Sequence, residues 1–150
     1  MAQPPSERRF FFPKEERLCA KGTFSYLFKH GLSFRVGRLS FYYLLDLPPS
    51  HKVDSLKWAV SVPKRQFKRA VDRHFLKRRI REAYRLNKHL LTEPLQRNDR
   101  NLVFLITYKS REKVSYAQIE KDVIRGFRKL SHQINRKEPQ NPSSHSQEKP

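Results

Sequence analysis

The chain has 150 residues, enough for one domain with a tail, and carries 33 Lys and Arg against 14 Asp and Glu, a formal net charge of +19. A compact fold repels itself at such a charge, and a few units suffice for solubility, so the excess points to a polyanionic partner, nucleic acid first and an anionic membrane surface second. Cys19 is the lone cysteine, which excludes an intramolecular disulfide and gives no sign of secretion.

The histidines, His30, His51, His74, His89, His132 and His145, stand at no metal-ligand spacing, so no protein-bound metal is expected. No apolar run approaches the roughly 18 residues of a membrane span. Residues 1–9 lack the apolar segment of a signal peptide, and the cytoplasm is the expected location. Hydrophobic residues at 37 % and aromatic residues at 12 % allow one modest core.

In chain order, residues 1–16 read as an irregular, polar, Pro-containing arm. A helix is predicted over 21–30, where Phe24, Leu27 and Phe28 share one face and Gly31 supplies the stop. Residues 39–47, rich in aromatic and aliphatic side chains and closed by Pro48-Pro49, read as a strand. After a loop over 48–55, residues 56–62 read as a second strand with Leu56, Trp58, Val60 and Val62 on one side, in a spacing compatible with antiparallel pairing to the first.

A long helix is predicted over 68–91, its buried stripe formed by Leu76, Ile80, Ala83, Asn87 and Leu90, with Pro94 ending the pattern. Residues 102–108 are a nearly continuous apolar run, which predicts a strand covered on both faces. Ser115 and Gln118 resemble a capping box opening a last helix whose stripe is Tyr116, Ile119, Val123, Phe127, Leu130 and Ile134. Residues 136–150 have nothing to bury and are expected to be disordered. The result is one domain over 17–135, of class α+β, in the order α-β-β-α-β-α, with a small sheet packed against helices.

Charge concentrates in 64–88. Lys64, Arg65, Lys68, Arg69, Arg73, Lys77, Arg78, Arg79, Arg81, Arg85 and Lys88 are opposed there only by Asp72 and Glu82. On a helix, Lys77, Arg78, Arg81, Arg85 and Lys88 fill one sector opposite the apolar stripe. An ordinary solvated face mixes signs to gain i,i+4 pairs. A one-sign face suits phosphates, each of which releases condensed counterions when neutralised. A membrane-surface helix would want more apolar bulk than a stripe containing Ala83 and Asn87 provides.

The aromatic residues Phe24, Phe28, Phe41 and Tyr43 fit either a core or a platform for unpaired bases. There is no Gly-rich phosphate loop, no nucleophile elbow and no carboxylate cluster for metal-dependent cleavage, so no catalytic residue is expected in this chain.

Residues 73–85, Arg-His-Phe-Leu-Lys-Arg-Arg-Ile-Arg-Glu-Ala-Tyr-Arg, resemble the signature helix of the bacterial ribonuclease P protein family, with Arg73, Lys77, Arg78, Ile80, Arg81 and Glu82 matching its pattern. Ser61-Val-Pro-Lys-Arg65, the Phe24…Phe28-Lys-x-Gly31 helix and Tyr43 are similar to further family motifs, and the likeness spans residues 17–134. The chain departs from the pattern at His74-Phe75, where the family has Asn-Arg, at Pro63 for Ser, and in the 66–69 loop, which is one residue longer and lacks a Gly.

The resemblance implies a mixed sheet with a left-handed βαβ crossover around the basic helix, a fold shared with the second domain of a ribosomal protein. It implies a subunit of an RNA enzyme that removes the 5′ leader of precursor tRNA, catalysis belonging to the RNA and its Mg²⁺ and the protein alone being inactive. Arg69, Arg73, Lys77, Arg78, Arg81 and Arg85 would meet the catalytic RNA. Phe24, Phe28, Tyr43, Lys64 and Arg65 would line a cleft for the leader. No obligate protein partner is implied. The competing readings are a ribosomal or other RNA-scaffolding protein, which the composition fits equally well, and a self-sufficient nuclease.

Overall fold

The computed structural model describes residues 16–18, 21–51 and 55–136. In chain order these form α1 (Lys21–His30), β1 (Leu32–Val36), β2 (Leu39–Leu45), a 3-10 turn at Pro49–His51, β3 (Leu56–Ser61), α2 (Ala70–Asn87), α3 (His89–Arg97), β4 (Leu102–Tyr108) and α4 (Tyr116–Asn135). The expected α+β order holds, with β1 and α3 added to it. The expected arm and tail lie outside the described residues except for Glu16 and Arg136.

β1 follows from a period-2 pattern, Leu32-Ser-Phe-Arg-Val36, and from the turn at Gly37-Arg38. Gly37 has φ +56°, and a side chain there would overlap the Asp122 carboxylate, which accepts the Arg38 backbone N–H at 3.2 Å. The turn therefore pairs β1 antiparallel to β2, Val36 opposite Leu39, and pins both to α4.

The strands form one mixed sheet in the order β1-β2-β4-β3. The expected antiparallel pairing of β2 with β3 does not occur. β4 lies between them, antiparallel to β2 and parallel to β3, with Leu105 beside both Tyr42 and Ala59. The reason is burial. β4 is buried along its whole length and takes the central position, which a strand apolar on both faces requires.

Alternation sorts the side chains into two cores. On one face Phe41, Trp58, Phe104, Ile106 and Tyr108 meet α2, α3 and α4, through residues that include Leu76, Ile80, Leu91, Leu95, Val123 and Phe127. On the other, Leu44, Val103 and Leu105 meet Leu27 of α1 and Leu18, with Phe24, Tyr42 and Ala59 half-buried at the margin. Ser115 Oγ accepts the Gln118 backbone N–H at 3.3 Å and opens α4 as expected.

The predicted helix over 68–91 is two helices. At the break, Asn87 Nδ2 donates to the Ala83 carbonyl at 2.8 Å, sharing the acceptor of its own backbone turn, and to Glu120 at 3.1 Å. Beyond it the register shifts by one, so Leu91 and Leu95 are buried while Leu90, expected in the stripe, is only partly covered. Pro94 lies inside α3 and does not end it.

Residues 16–18 run beside β3, with the Leu18 N–H donating to the Trp58 carbonyl at 2.9 Å. Tyr84 Oη donates to Glu16 Oε1 at 2.6 Å, and Lys88 Nζ stands 3.5 Å from the same carboxylate. Burial, then the Glu16 hydrogen bond and charge, push the Tyr84 hydroxyl far above its ordinary pKa. A raised pKa means that this contribution is complete below the unfolded tyrosine's value, about 10, and is lost as pH rises above it. Tyr84→Phe is expected to cost about 1–2 kcal/mol at neutral pH and to flatten the loss of stability above pH ~10. Denaturant titrations at neutral pH and at alkaline pH check both, and an alkaline slope identical to wild type would show that Tyr84 does not set it.

Candidate nucleic-acid interface

α2 separates a core side from a charged side. Leu76, Ile80, Ala83 and Tyr84 are buried, whereas Arg69, Arg78 and Arg81 are exposed and Lys77 is half-covered. Among the described residues no carboxylate pairs with Arg69, Lys77 or Arg78.

Among the six expected cations, Arg85 and Arg73 are engaged within the protein. Arg85 makes a bidentate pair with Glu82, at 2.6 and 2.8 Å, which holds the Glu82 carboxyl below the ordinary range. Arg73 Nη1 donates to the Phe67 and Lys68 carbonyls, each at 2.9 Å, and so closes the loop before α2. Asp72 is consumed by Lys113 at 2.7 Å. Both acids that opposed the charge in sequence are therefore turned to the α4 side of the helix, and the face beyond them stays cationic. On that same side Phe75, 39 % exposed, carries the Arg79 guanidinium 4.1 Å above its ring.

A second surface lies across the sheet. Phe28 is 59 % exposed on α1 and meets Tyr42 edge-on at 5.8 Å between centroids, with Phe24 half-buried beside the same cluster. Tyr43, expected with Phe24 and Phe28, is not there. It is buried on the opposite face, 5.8 Å from Phe34, because alternation in β2 sends Phe41 and Tyr43 to the α2–α4 core and Ser40, Tyr42 and Leu44 to α1. Tyr42 is the aromatic residue that the sequence reading missed, and that same alternation was the signal for it.

The register continues the surface. The row Tyr42-Leu105-Ala59 is followed two residues on by Ser40-Thr107-Ser61, small hydroxyls crossing three strands. Just beyond Ser61, the turn after β3 presents Lys64 and Arg65, both exposed. The surface thus grades from aromatic, through small and polar, to cationic. That is the order needed to stack an unpaired base and hold the adjoining phosphate.

The model of the family described as Ribonuclease P matches residues 12–131. The chain belongs to the ribonuclease P protein family. The ribonuclease P protein component of Porphyromonas gingivalis strain W83 is 43 % identical over 96 residues, covering 64 % of this chain and 66 % of that protein. The one from Chlorobaculum tepidum is 32 % identical over 104 residues, covering 66 % of this chain and 68 % of that protein. The chain spans just under two thirds of the length of the two Porphyromonas gingivalis relatives, 66 % and 65 %.

The fold matches a structure of the ribonuclease P protein of Staphylococcus aureus with TM-score 0.58 at 20 % identity, covering 77 % of this chain and 94 % of that one. A second structure from the same organism gives 0.56 at 21 % identity, covering 85 % and 98 %. These likenesses place the family's mixed sheet and its helices in this chain. No helix among the described residues is long and apolar enough to cross a membrane.

Proposed function

We propose that this chain is the protein subunit of ribonuclease P, and that it binds the catalytic RNA through α2 and the single-stranded 5′ leader of precursor tRNA through the sheet surface beside α1. The observation that carries the reading is the pairing of two unlike surfaces on opposite faces of one sheet. One is a cationic helix suited to a phosphate backbone, and the other is an aromatic-to-cationic track suited to an unpaired strand. Family membership supports the choice of these RNAs as the ones such surfaces serve.

The cutting chemistry belongs to the RNA. In this reading the Mg²⁺ of the reaction is held by the RNA. The protein's work is to reduce repulsion between two polyanions and to add contacts that only a precursor can make. Neither task needs base-specific readout.

Cleavage of precursor tRNA at low Mg²⁺ by the cognate RNA, with and without the protein, tests this. Accurate 5′ cleavage restored by a protein that is inert alone supports it. RNA binding with no effect on cleavage would favour a scaffolding protein, and cleavage without the RNA would make the chain a nuclease in its own right.

Phe28 supplies a sharper check, because its exposure separates binding from folding. Phe28→Ala is expected to leave the melting temperature within a degree or two, and to weaken binding of precursor to the assembled enzyme about tenfold, the scale of one lost base stack. Mature tRNA binding should not change. Equal losses for precursor and mature tRNA would remove Phe28 from the leader surface.

A further inference from the structure

α4 carries a cationic face that neither proposed surface uses. Lys121, Arg125, Arg128 and His132 stand at spacings of 4, 3 and 4, all exposed. At 100° per residue they fall within about 60° of the helix circumference. Lys129 flanks them, its ammonium 5.3 Å above the half-buried Phe34 ring of β1. The two acids of this helix are directed elsewhere. Glu120 turns toward α2, where it accepts from Asn87 at 3.1 Å and Tyr116 at 3.3 Å, and Asp122 is buried under the Gly37 turn.

Like charges three and four residues apart destabilise a helix. A face that keeps several of them with no carboxylate between is set up for an external anion.

The position of the face says which one. α2 packs toward β3 and α4 toward β1 and β2. The seam between the two helices holds Glu82, Arg85, Asn87 and Glu120. Lys88, just past the end of α2, faces away from that seam, toward Glu16, while the α4 stripe lies next to the edge of the helix that Asp122 and Lys129 turn to the β1–β2 end, where Arg35, Arg38 and Lys109 sit. One backbone segment cannot follow both stripes without crossing the seam. Insertion into a membrane is excluded, because the apolar side of α4 (Ile119, Val123, Phe127, Leu130 and Ile134) is the buried core.

We propose that the α4 stripe binds a second phosphodiester backbone segment of RNA, so that the protein clamps two separate stretches of polyanion, one on each flank of its helical layer. The proposal rests on the chain being an RNA-binding subunit.

The test uses the full chain and the ribonuclease P RNA, with Lys121→Gln, Arg125→Gln and Arg128→Gln combined in one variant and a matching α2 variant beside it. Gln keeps helix propensity. With about 0.7–0.9 of salt slope per phosphate contact, the α4 variant should bind with a dependence of log affinity on log salt shallower by about 2. The affinity lost between 50 and 200 mM salt then shrinks by roughly 16-fold. The change should add to that of the α2 variant, as separate sites do.

An unchanged slope with RNA binding intact overturns the second segment and leaves the proposed function standing. A change that vanishes once α2 is neutralised also overturns it, since both helices would then share one segment. A wild-type RNA slope with loss of binding to vesicles of anionic phospholipid would assign the stripe to lipid headgroups instead. A chain that binds no ribonuclease P RNA at all fails the subunit reading itself.

Discussion

Phe127→Ala is expected to cost the fold about 3–5 kcal/mol, the scale of a deleted core ring. Phe127 is fully buried, and three other rings meet it edge-on: Phe41 at 6.3 Å, Tyr84 at 6.1 Å and Phe104 at 5.8 Å. These partners come from β2, α2 and β4, so a single side chain joins α4 to both the sheet and the neighbouring helix. Edge-to-face pairs add about 0.5–1.5 kcal/mol each beyond area burial.

The site cannot collapse to fill the gap, because Gly126 already brings the α4 backbone against the Phe41 ring; a methyl group added there would overlap it. For a domain with a total stability of about 5–15 kcal/mol, the loss is roughly a fifth or more. Urea unfolding monitored by circular dichroism reads it directly. A cost under about 1 kcal/mol would mean that α4 is not docked through this ring.

The elements that the sequence announced are those whose pattern agrees with their burial. The α4 stripe from Tyr116 to Ile134, the continuous apolar run of β4 and the stop at Gly31 each carry one signal and reappear as expected. β1 was missed because five residues with an arginine at the fourth position, Leu32-Ser-Phe-Arg-Val36, bury only their two ends fully. The break at Asn87 was missed because a polar residue in an apolar stripe looks the same whether it is tolerated or takes over a backbone carbonyl, and only the Ala83 and Glu120 contacts decide.

Strand order was not legible. Chain proximity favoured pairing β2 with β3, and the need to cover β4 on both faces overrode it. At the candidate site the cationic helix was plain from charge alone. What charge could not show is that Arg73 and Arg85 already have partners within the protein, or that Tyr42 rather than Tyr43 turns toward Phe28.

The largest functional effect is expected from Arg69→Gln, Lys77→Gln and Arg78→Gln together. If each of these cations neutralises one phosphate, counterion release at ~0.1 M salt is worth roughly fivefold or more in affinity per contact, so the triple variant should bind the ribonuclease P RNA on the order of 100-fold more weakly. Its salt slope should fall by about 2–3. The loss should be nearly the same for RNAs altered in base sequence within the contacted region, because phosphate contacts position the complex and do not read it.

The choice of residues matters. Arg85 must first leave Glu82, so its removal gives less. Arg73 holds the Phe67 and Lys68 carbonyls, so its removal loosens the start of α2 and confuses folding with binding. Among the described residues no carboxylate pairs with Arg69, Lys77 or Arg78, and their replacement by Gln should leave the unfolding midpoint in place. With folding thus held constant, a triple variant that bound with the wild-type slope would show these cations to be a solvated face, and RNA binding would have to be sought on the α1 surface or on α4.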